Sequence, residues 1–589
     1  MCGIWGHIGR QDFEEARAEK DRAQPNEKND TAAALVHRGP DETRTFSKRV
    51  ARHGRHIELV FHRLAIIDIL NGHQPFVVET ETRTVALVAN GEIYNYKRLC
   101  EKYDLQTTSD CRVILDLYLL LGASETCRAL DGEFAFALVD IDKDNLSVFL
   151  ARDRFGIRPL FVAFDAAHTN LYFSSEMKAL SATDIRLPGT YTGAVSVAHV
   201  PPRAVLRYDF NAHKESFTVS QPEPYYNLRS LNLEPASAPR AFSETEWCER
   251  IRSALIESVR DRLNTERPLG CLLSGGLDSS LVAGISAHEL RKKGVQLHTF
   301  SIGLSADSPD VVHARLVASH IGSTHHEVIV PQSVWLENIP KVIRQIETYD
   351  TTTVRASTGQ YLLSQWISEN TDVKVILNGD GSDEIAGGYL YFYNAPDDAA
   401  FHNECLALLG DIHYYDVLRV DRGISAHGLE ARVPFLAHSF VETYLQSPVH
   451  LRRPVRGSLR TEKYLLRKSF EGTGLIPDAV LWRRKEAFSD GVSSQQKSWY
   501  ELIEESIPAD FAYDAWDGMD IAERITGDLQ SALPITRESQ YYKSLFDSFF
   551  PGRAGILETK RYWLPKWCGA VVNPSARVLS IYNDSLIKQ

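Results

Sequence analysis

The chain is 589 residues long and 43% hydrophobic, which is more than a single hydrophobic core accommodates, so two or more domains are expected. The formal net charge of -12 argues against a general binding surface for nucleic acid or acidic membranes. No window approaches the roughly 18 apolar residues that span a bilayer. Small-molecule chemistry is the class of function that remains.

The first seven residues, MCGIWGH, place a thiol directly after the initiator methionine. Removal of Met1 would give Cys2 a free α-amine, whose ordinary pKa of about 7.7 to 8.0 lets it act as the base for its own thiol. The alternative interpretation is a small buried hydrophobic residue. The chain has 8 scattered cysteines, no CxxC pair and no signal-peptide pattern, which predicts a reducing, cytoplasmic location.

The first part of the chain, to about residue 210, is dominated by short apolar runs such as RTVALVANGEIYN and GEFAFALVDID. Runs of this kind predict stacked antiparallel sheets, interrupted by one helix in SDCRVILDLYLLLGA. The polar stretch at residues 10–30 is typical of a solvated surface insertion. A segment rich in Pro and Ser follows, so we predict a first domain at 1–215, a linker at 216–240 and a second domain at 241–589.

The second part alternates longer helices, such as ETEWCERIRSALIESVRDRL, with single buried strands, which is typical of a parallel α/β fold. The strand GCLL runs into the loop SGGLDSS and then into a helix. Two glycines, hydroxyl groups and a helix N-terminus favour a polyphosphate, and Asp278 favours Mg²⁺. The loop lacks the lysine of a Walker motif. A plain Gly-Ser turn is the alternative interpretation.

A second Gly-rich acidic loop, NGDGSDE, follows the strand VKVIL and contains Asp380, Asp383 and Glu384. Loops at the carboxyl ends of parallel strands form a crevice that suits a nucleotide. Asp278 and Asp383 are therefore predicted to share a magnesium-bound pyrophosphate. By itself the DGSD sequence would indicate only a surface turn.

These motifs resemble, in order and over nearly the whole chain, those of the glutamine-dependent asparagine synthetases. The resemblance is carried by MCGI, HRGPD, HRLAIID, NGEIYNY and ARDRFGIRPLF in the first half, and by SGGLDSS, YDTTTVRAST, LNGDGSDEIAGGYLYF, WRRKEAFSDGV and NPSARVLSIY in the second. It implies an α/β protein of two domains. The first would be a class II glutamine amidotransferase with the N-terminal-nucleophile αββα sandwich. The second would be a parallel-sheet domain like the adenine nucleotide α-hydrolases, with an ATP pyrophosphatase loop.

For the first half, the resemblance implies that the Cys2 thiolate attacks the side-chain amide of glutamine. The side chain of Asn90 and the backbone N–H of Gly91 would stabilise the oxyanion. Arg63 suits a bidentate grip on the substrate carboxylate. The residues implied in glutamine binding are Arg63, Leu64, Ile66, Ile67, Asn90, Gly91, Glu92 and Asp110.

For the second half, the resemblance implies that ATP adenylates the side-chain carboxylate of aspartate and that ammonia then displaces AMP. The implied ATP or pyrophosphate residues are Leu272, Ser274, Gly275, Gly276, Asp278, Ser279, Ser280, Ile302, Asn378 and Gly379, and the implied magnesium ligands are Asp278 and Asp383. The implied catalytic residues are Thr352, Arg355, Asp380 and Lys463. Lys463 alone would be interpreted as a helix-surface residue.

Three positions depart from the family pattern: Asp380 where glutamate is usual, Asn378 where serine is usual, and Ala437 where aspartate is usual. They leave two enzymatic hypotheses, asparagine synthesis or amidation of another carboxylic acid, including lactam closure by a relative. A third hypothesis is a non-catalytic glutamine or nucleotide sensor, which the intact Cys2, Asp278 and Asp383 argue against. A homodimer stays an open alternative.

Overall fold

The structure is a computed structural model that describes residues 1–10, 31–143, 145–165, 167–180, 196–231, 242–486, 491–493, 497–512, 534–557, 564–569, 571–573 and 575–583. The chain divides into two compact units. The first comprises Met1–Asn227 with Ser425–Leu429, and the second comprises Leu228–Ile424 with Glu430–Gln589. Except for Arg10, the predicted polar insertion at 10–30 lies outside the described residues. In the described parts of the chain no helix is long and apolar enough to cross a membrane.

The first unit is rich in strands, as its short apolar runs predict. Its strands are β1 (Gly3–Arg10), β2 (Glu42–Val50), β3 (Arg55–Arg63), β4 (Phe76–Glu79), β5 (Arg83–Ile93), β6 (Gly132–Asp142), β7 (Leu146–Arg152), β8 (Phe161–Phe164), β9 (Leu171–Ser174), β10 (Ser196–His199), β11 (Ala204–Asn211), β12 (Ser216–Val219) and β13 (Glu223–Pro224). Its α-helices are α1 (Tyr96–Tyr103), α2 (Arg112–Leu121) and α3 (Ala123–Ala129). Helix α2 confirms the helix predicted in residues 109–123.

The strands of the first unit form two antiparallel sheets. Their orders are β10-β8-β9-β1-β3-β2 and β12-β11-β7-β6-β5-β4, with β13 paired to β11. Because successive strand residues face opposite sides, Ala86 and Val88 of β5 join the core between the sheets, whereas Leu87 and Ala89 pack with helices α1 to α3. Among the described residues, a 3₁₀ helix at Ala32–Leu35 packs against the outer face of the first sheet. The predicted sandwich of two sheets with helical outer layers is confirmed.

The segment expected to start the linker contributes to the second sheet. Residues 216–219 form β12 and residues 223–224 form β13, and both pair with β11. Phe217 is buried in the core between the sheets. The proposed domain boundaries stay a prediction, and the Pro- and Ser-rich residues 232–240 lie outside the described residues.

The second unit alternates helices with parallel strands. Its strands are β14 (Leu269–Leu272), β15 (His298–Gly303), β16 (Thr324–Ile329), β17 (Val375–Leu377) and β18 (Glu430–Arg432). Its described α-helices are α4 (Glu244–Arg262), α5 (Leu277–Arg291), α6 (Pro309–Ile321), α7 (Gln332–Ile346), α8 (Thr351–Asn370), α9 (Ser382–Ala386), α10 (Asp398–Asp411), α11 (Asp416–Ser425, its last residue counted with the first unit), α12 (His438–Gln446), α13 (Val449–Arg452), α14 (Tyr464–Phe470), α15 (Asp478–Leu481), α16 (Trp499–Ser506) and α17 (Arg537–Phe549).

The parallel sheet has its topological switch at the central strand. Its order is β16-β15-β14-β17-β18, so the chain adds strands on one side of β14 and then on the other. A crevice forms outside the carboxyl ends of the strands at such a point. The loops SGGLDSS and NGDGSDE leave β14 and β17 there, as predicted.

Candidate active sites

Cys2 lies in the first unit, immediately before β1, and is half-buried. Its backbone N–H donates to Asn90 Oδ1 at 2.8 Å, and its carbonyl oxygen accepts from Arg38 Nε at 2.9 Å. The thiol contacts the loop after β3: its sulfur is 3.4 Å from the Leu64 N–H and 3.7 Å from the Leu64 carbonyl oxygen. Both sides of the Cys2 backbone are therefore fixed, and its side chain faces the predicted glutamine-binding loop.

Asn90 and Gly91 stand near the end of β5. The Oδ1 of Asn90 accepts from Cys2, while its Nδ2 is buried and has no hydrogen-bond partner among the described residues. An unpaired buried donor is costly, by about 1 to 3 kcal/mol, unless a substrate satisfies it. Gly91 has a φ of 151°, and a Cβ at this position would lie 2.0 Å from the Glu133 carbonyl oxygen. Only glycine fits there.

Arg63 is buried at the end of β3, with its guanidinium turned onto the following loop. It donates to the Asp68 carbonyl at 2.7 Å and to the Ile69 carbonyl at 3.0 Å. These bonds hold the loop that contains Leu64, Ile66 and Ile67. The structure thus gives Arg63 a loop-holding role in addition to its predicted contact with a substrate carboxylate.

Glu92 and Asp110 are both buried near the end of β5. The Oδ2 of Asp110 accepts from the Ile93 N–H at 2.9 Å. Beside them, burial and the negative charges of Asp110 and Glu92 raise the pKa of the Cys111 thiol well above its ordinary value. The thiol form of Cys111 is therefore favoured, and two buried carboxyl groups lie beside it.

A buried ionic cluster lies behind Cys2, and its residues are not among those predicted from the sequence. Arg38, which holds the Cys2 carbonyl, also donates to Glu176 Oε1 at 2.6 Å, and His37 lies 3.2 Å from the same carboxylate. Burial favours the protonated acid, but Lys178, His37 and Arg38 outweigh it and hold the pKa of Glu176 well below its ordinary value. The HRGPD motif contains Arg38, but Glu176 comes from a distant part of the sequence.

In the second unit, the SGGLDSS loop is folded by its own hydroxyl groups. Ser274 Oγ lies 3.0 Å from Ser279 Oγ, and the Ser274 N–H donates to that same oxygen at 3.2 Å. Gly275 has a φ of 69°, and a Cβ there would lie 2.4 Å from the backbone nitrogen of Ala314. Ser280 Oγ is buried without a partner among the described residues. The loop presents hydroxyls and the start of α5 to the crevice.

The two loops approach each other at Gly379. A Cβ there would lie 2.7 Å from the Ser279 nitrogen and 2.8 Å from the Asp278 Cβ. Its neighbour Asn378 is buried, and the Nδ2 of Asn378 has no partner in the described part of the chain. A buried free amide suits a nucleotide hydroxyl or ring nitrogen.

Asp278 and Asp383 converge on one buried ammonium group. Lys463 Nζ lies 2.6 Å from Asp278 Oδ2 and 2.7 Å from Asp383 Oδ1, and Lys485 Nζ lies 2.6 Å from Asp383 Oδ2. Burial opposes ionisation, but Lys463 and Lys485 lower the pKa of Asp383 below its ordinary value. Lys463 is thus no helix-surface residue. Lys485, in the motif WRRKEAFSDGV, is a further cation that the predicted site omitted.

Asp380 lies on the NGDGSDE loop with Asp383, but its carboxylate does not share the lysine partners of Asp383. Its carboxylate forms an ion pair with Arg419, and Gln360 Nε2 lies 3.4 Å from its Oδ2. Burial raises the pKa of Asp380, and Arg419 offsets this only in part. Arg419 also pairs with Asp416 at 2.8 Å. Nothing in the local sequence around Arg419 signals this contact, because its partner is 39 residues earlier.

These groups line a cavity of about 320 Å³. It is bordered by the predicted residues Leu272, Ser274, Gly276, Asp278, Ser279, Ile302, Thr352, Asn378, Gly379, Asp380, Asp383 and Lys463. Thr352 Oγ1 donates to Asp350 Oδ1 at 2.7 Å, at the start of α8. Gly275, Ser280, Arg355 and Ala437 do not border the cavity. Described residues contain no group of three His, Cys, Asp or Glu side chains arranged as a metal centre.

Comparison with known proteins shows the family to which each part of the chain is related. Residues 1–194 match the family model described as the glutamine amidotransferase domain, so the first unit has the sequence of an amidotransferase. Residues 250–401 and 394–567 match the model described as asparagine synthase. The chain belongs to the asparagine synthase family.

Curated relatives match over the full length of the chain. The glutamine-hydrolyzing asparagine synthetases of Gallus gallus and Homo sapiens are each 39% identical to it, covering 100% of both chains. A solved structure described as the allosteric regulatory enzyme of purine biosynthesis is 16% identical, covers 56% of this chain and 80% of its own, and has a TM-score of 0.29. An overlap that low carries no argument about this chain.

Proposed function

We propose that this chain synthesises asparagine from aspartate and ATP with nitrogen from glutamine, releasing AMP and pyrophosphate. The observation that carries the proposal is the full-length relationship, at 39% identity, to glutamine-hydrolyzing asparagine synthetases. The contact between Cys2 and Asn90 and the convergence of Asp278 and Asp383 on Lys463 support it, because each half of the reaction then has its groups in place.

In the glutaminase half, Cys2 attacks the amide carbon of glutamine after removal of Met1 frees its amine as the base. Nδ2 of Asn90, buried and unpaired among the described residues, donates to the oxyanion together with the Gly91 N–H. Glu92 and Asp110 hold the substrate ammonium group, and Arg63 holds its carboxylate at the edge of the loop. Ammonia leaves, and water releases glutamate from the thioester.

In the synthetase half, ATP occupies the cavity with its phosphates against SGGLDSS. The charge on pyrophosphate is stabilised by Lys463 and Lys485, and by the start of helix α5. Asp278 and Asp383 are the residues that would hold Mg²⁺, and the ion would supply positive charge to neutralise the phosphates. The residues fit this ion, since two carboxylates already converge on one cation, the Lys463 ammonium.

A second candidate is amidation of a different carboxylic acid in the same site. It is favoured by Asp380, which is one methylene shorter than the usual glutamate and whose carboxylate pairs with Arg419. Asn378 adds an amide without a partner among the described residues, where serine is usual. Ala437 is buried outside the cavity border, so its change from the usual aspartate gives this candidate less support.

The test is an assay of AMP and pyrophosphate release with ATP, Mg²⁺, glutamine and a panel of acids. Aspartate should give equal amounts of AMP and asparagine. Release of AMP with another acid and none with aspartate would favour the second candidate, and release of ADP instead of AMP would overturn both.

Replacement of Cys2 by Ala separates the two halves. We expect glutamine-dependent synthesis to be lost and ammonium-dependent synthesis to be kept, because only the first requires the thiol. Cys100→Ala removes another half-buried thiol of the first unit and serves as the matched control that keeps both activities. Equal loss with both nitrogen sources in Cys2→Ala would contradict this division of labour.

A cytoplasmic location and assembly as a homodimer complete the proposal. The location is supported by the eight cysteines, all within the described residues and all free thiols, since disulfides are rare in reducing compartments. Fractionation of the native protein tests the location. The molar mass of the particle in solution tests the assembly.

A further inference from the structure

Arg355 has a different environment from the one expected of a residue that touches substrate. It lies on α8, is buried, and does not border the cavity. Its Nε donates to Glu538 Oε1 at 2.8 Å, its Nη2 pairs with the other oxygen of the same carboxylate, and its Nη1 donates to Asn573 Oδ1 at 3.1 Å. The guanidinium also lies over the Tyr500 ring, 5.3 Å from its centroid. All of these partners come from residues 500–573, near the end of the chain.

The partner Asn573 belongs to a short segment near the end of the chain that borders the cavity. We call the described residues 571–573 and 575–583 the C-terminal wall. Asn573 Oδ1 also accepts from the Ser575 N–H at 2.9 Å, and Ser575 Oγ caps the 3₁₀ helix Ala576–Val578. Within the wall, Ala576 and Leu579 border the cavity. A single side chain, Asn573, thus ties Arg355 to the start of the wall.

Two further anchors join the wall to the phosphate side of the cavity. Arg577 Nη2 donates to Glu486 Oε1 at 3.1 Å, and Arg483 Nη2 donates to the other oxygen of Glu486 at 3.1 Å. Arg483 Nη1 in turn donates to the Gly275 carbonyl, in the SGGLDSS loop, at 3.0 Å. An uninterrupted chain of polar contacts therefore connects the wall with the loop expected to hold pyrophosphate.

Apolar packing holds the other side of the wall. Leu579 and Ile581 are buried in a cluster with Leu390, Tyr391 and Phe392, and the first two of these three also border the cavity. Arg484 Nη2 donates to the Tyr582 carbonyl at 2.6 Å, with its guanidinium 5.0 Å from the Tyr582 ring centroid. Buried apolar contacts together with half-buried charged hydrogen bonds of this kind fix a segment in place.

We propose that the C-terminal wall is part of the nucleotide site and that Arg355 is a positioning residue that holds it there through Asn573 and Glu538. Arg355 then acts on ATP binding without touching ATP or the acid. The proposal rests on the proposed function of the cavity, and it differs from the direct role in adenylation that the motif TTTVRAS implies for Arg355.

The test measures the binding of MgATP directly, by calorimetry on the full chain, next to KM for ATP and kcat. Asn573→Ala removes the acceptor and leaves the buried pair of Arg355 with Glu538 intact, so the fold is kept. We expect about tenfold weaker ATP binding, because a hydrogen bond to a charged group is lost. KM for ATP should rise by the same factor, kcat should change less than about threefold, and glutamine hydrolysis at Cys2 should stay unchanged.

The conservative variant Asn573→Asp keeps an acceptor for Arg355, and it should bind ATP within about twofold of the original chain. Lys543→Gln, which breaks a half-exposed i,i+4 ion pair with Asp547 on helix α17, is the matched control and should change nothing measurable. Hydrogen exchange at residues 575–583 should speed up in Asn573→Ala only. A chain lacking residues 571–589 should lose at least as much ATP affinity as Asn573→Ala.

Unchanged ATP affinity in both Asn573→Ala and the shortened chain would overturn the inference. So would a fall in kcat with KM unchanged, since that is the signature of a residue needed only in the chemical step. If the original chain itself failed to bind MgATP, the proposed function of the cavity would be wrong instead.

Discussion

At the scale of single residues, Asn90 is the most informative side chain of the first unit. One of its side-chain atoms fixes Cys2, and the other is a buried donor that has no partner in the described structure. Fixing the nucleophile and donating to the oxyanion are separable tasks, since the first needs only Oδ1 and the second only Nδ2.

Replacing Asn90 tests the second task. Asn90→Ala should slow glutamine hydrolysis about 100- to 1000-fold, the usual cost of losing one oxyanion donor, with ammonium-dependent synthesis unchanged. Asn90→Asp keeps the acceptor for the Cys2 N–H but has no donor when ionised, so it should lose as much activity. Initial rates of glutamate release measure both, and Asn145→Ala, in an exposed turn, is the control. Full activity in Asn90→Asp would exclude the donor role.

The residues that could be predicted are those in contiguous motifs, where backbone geometry restricts the residue type. Gly91 and Gly275 have positive φ angles that strongly favour glycine, and each is packed against a neighbouring backbone. Arg419 and Glu176 could not be predicted, because their partners lie far away in the sequence and only folding brings them together. The motif TTTVRAS predicts a role in adenylation for Arg355, which stays a prediction, and its contacts with Glu538 and Asn573 could not be predicted because both partners are far away in the sequence.

At the scale of elements, helix α4 shows how a local signal starts the second unit. The Ser243 N–H donates to Glu246 Oε2 at 2.8 Å, and Ser243 Oγ accepts from the Glu246 N–H at 3.3 Å, which together form a capping box. The helix packs against α5, α12 and α14. Its start was predictable from the sequence SETE alone.

Removal of this cap should destabilise the chain measurably. Ser243→Ala should lower the free energy of unfolding by about 1 kcal/mol, because one donor at the helix start loses its partner. Urea unfolding measures the difference. Thr245→Ala, two residues along the same helix and exposed, should change it by less than about 0.5 kcal/mol. A similar loss in both variants would mean that the cap does not set the effect, since alanine raises the helix propensity at either position.

Strands β12 and β13 show the limit of local prediction. Their sequences contain Ser216, Thr218 and Pro224, and the surrounding composition is that of a linker. They become strands because β11 offers an edge and because Phe217 enters the core between the sheets. Tertiary contacts therefore decide the structure of these two strands, and such contacts cannot be read from a short stretch of sequence.

At the scale of the whole molecule, the two-unit α/β architecture and the family were both predictable and are confirmed, because a long series of ordered motifs carries them. Each unit has its own core and its own candidate site. Each substrate should accordingly stabilise the unit that binds it.

Hydrogen exchange of the intact chain tests this assignment of ligands. A hundredfold excess of MgATP over its Kd should slow exchange about 100-fold at residues 274–280 and 378–384, since that excess adds about 2.7 kcal/mol of stability. A glutamine analogue should protect residues 63–67 and 90–93. Cys2→Ala should leave the ATP pattern unchanged. Protection of residues 90–93 by MgATP, without protection of 274–280, would show that the nucleotide binds the first unit instead.

Gly379 limits how the acid specificity of this protein can be redesigned. Because a Cβ added to Gly379 would come within 2.7 Å of the Ser279 nitrogen, the two crevice loops interlock so closely that a substitution there would push both apart. Mutant libraries should therefore leave that position untouched and vary its neighbour Asp380 together with Arg419, since the carboxylate and its cation can change length as a pair while the loops keep their spacing.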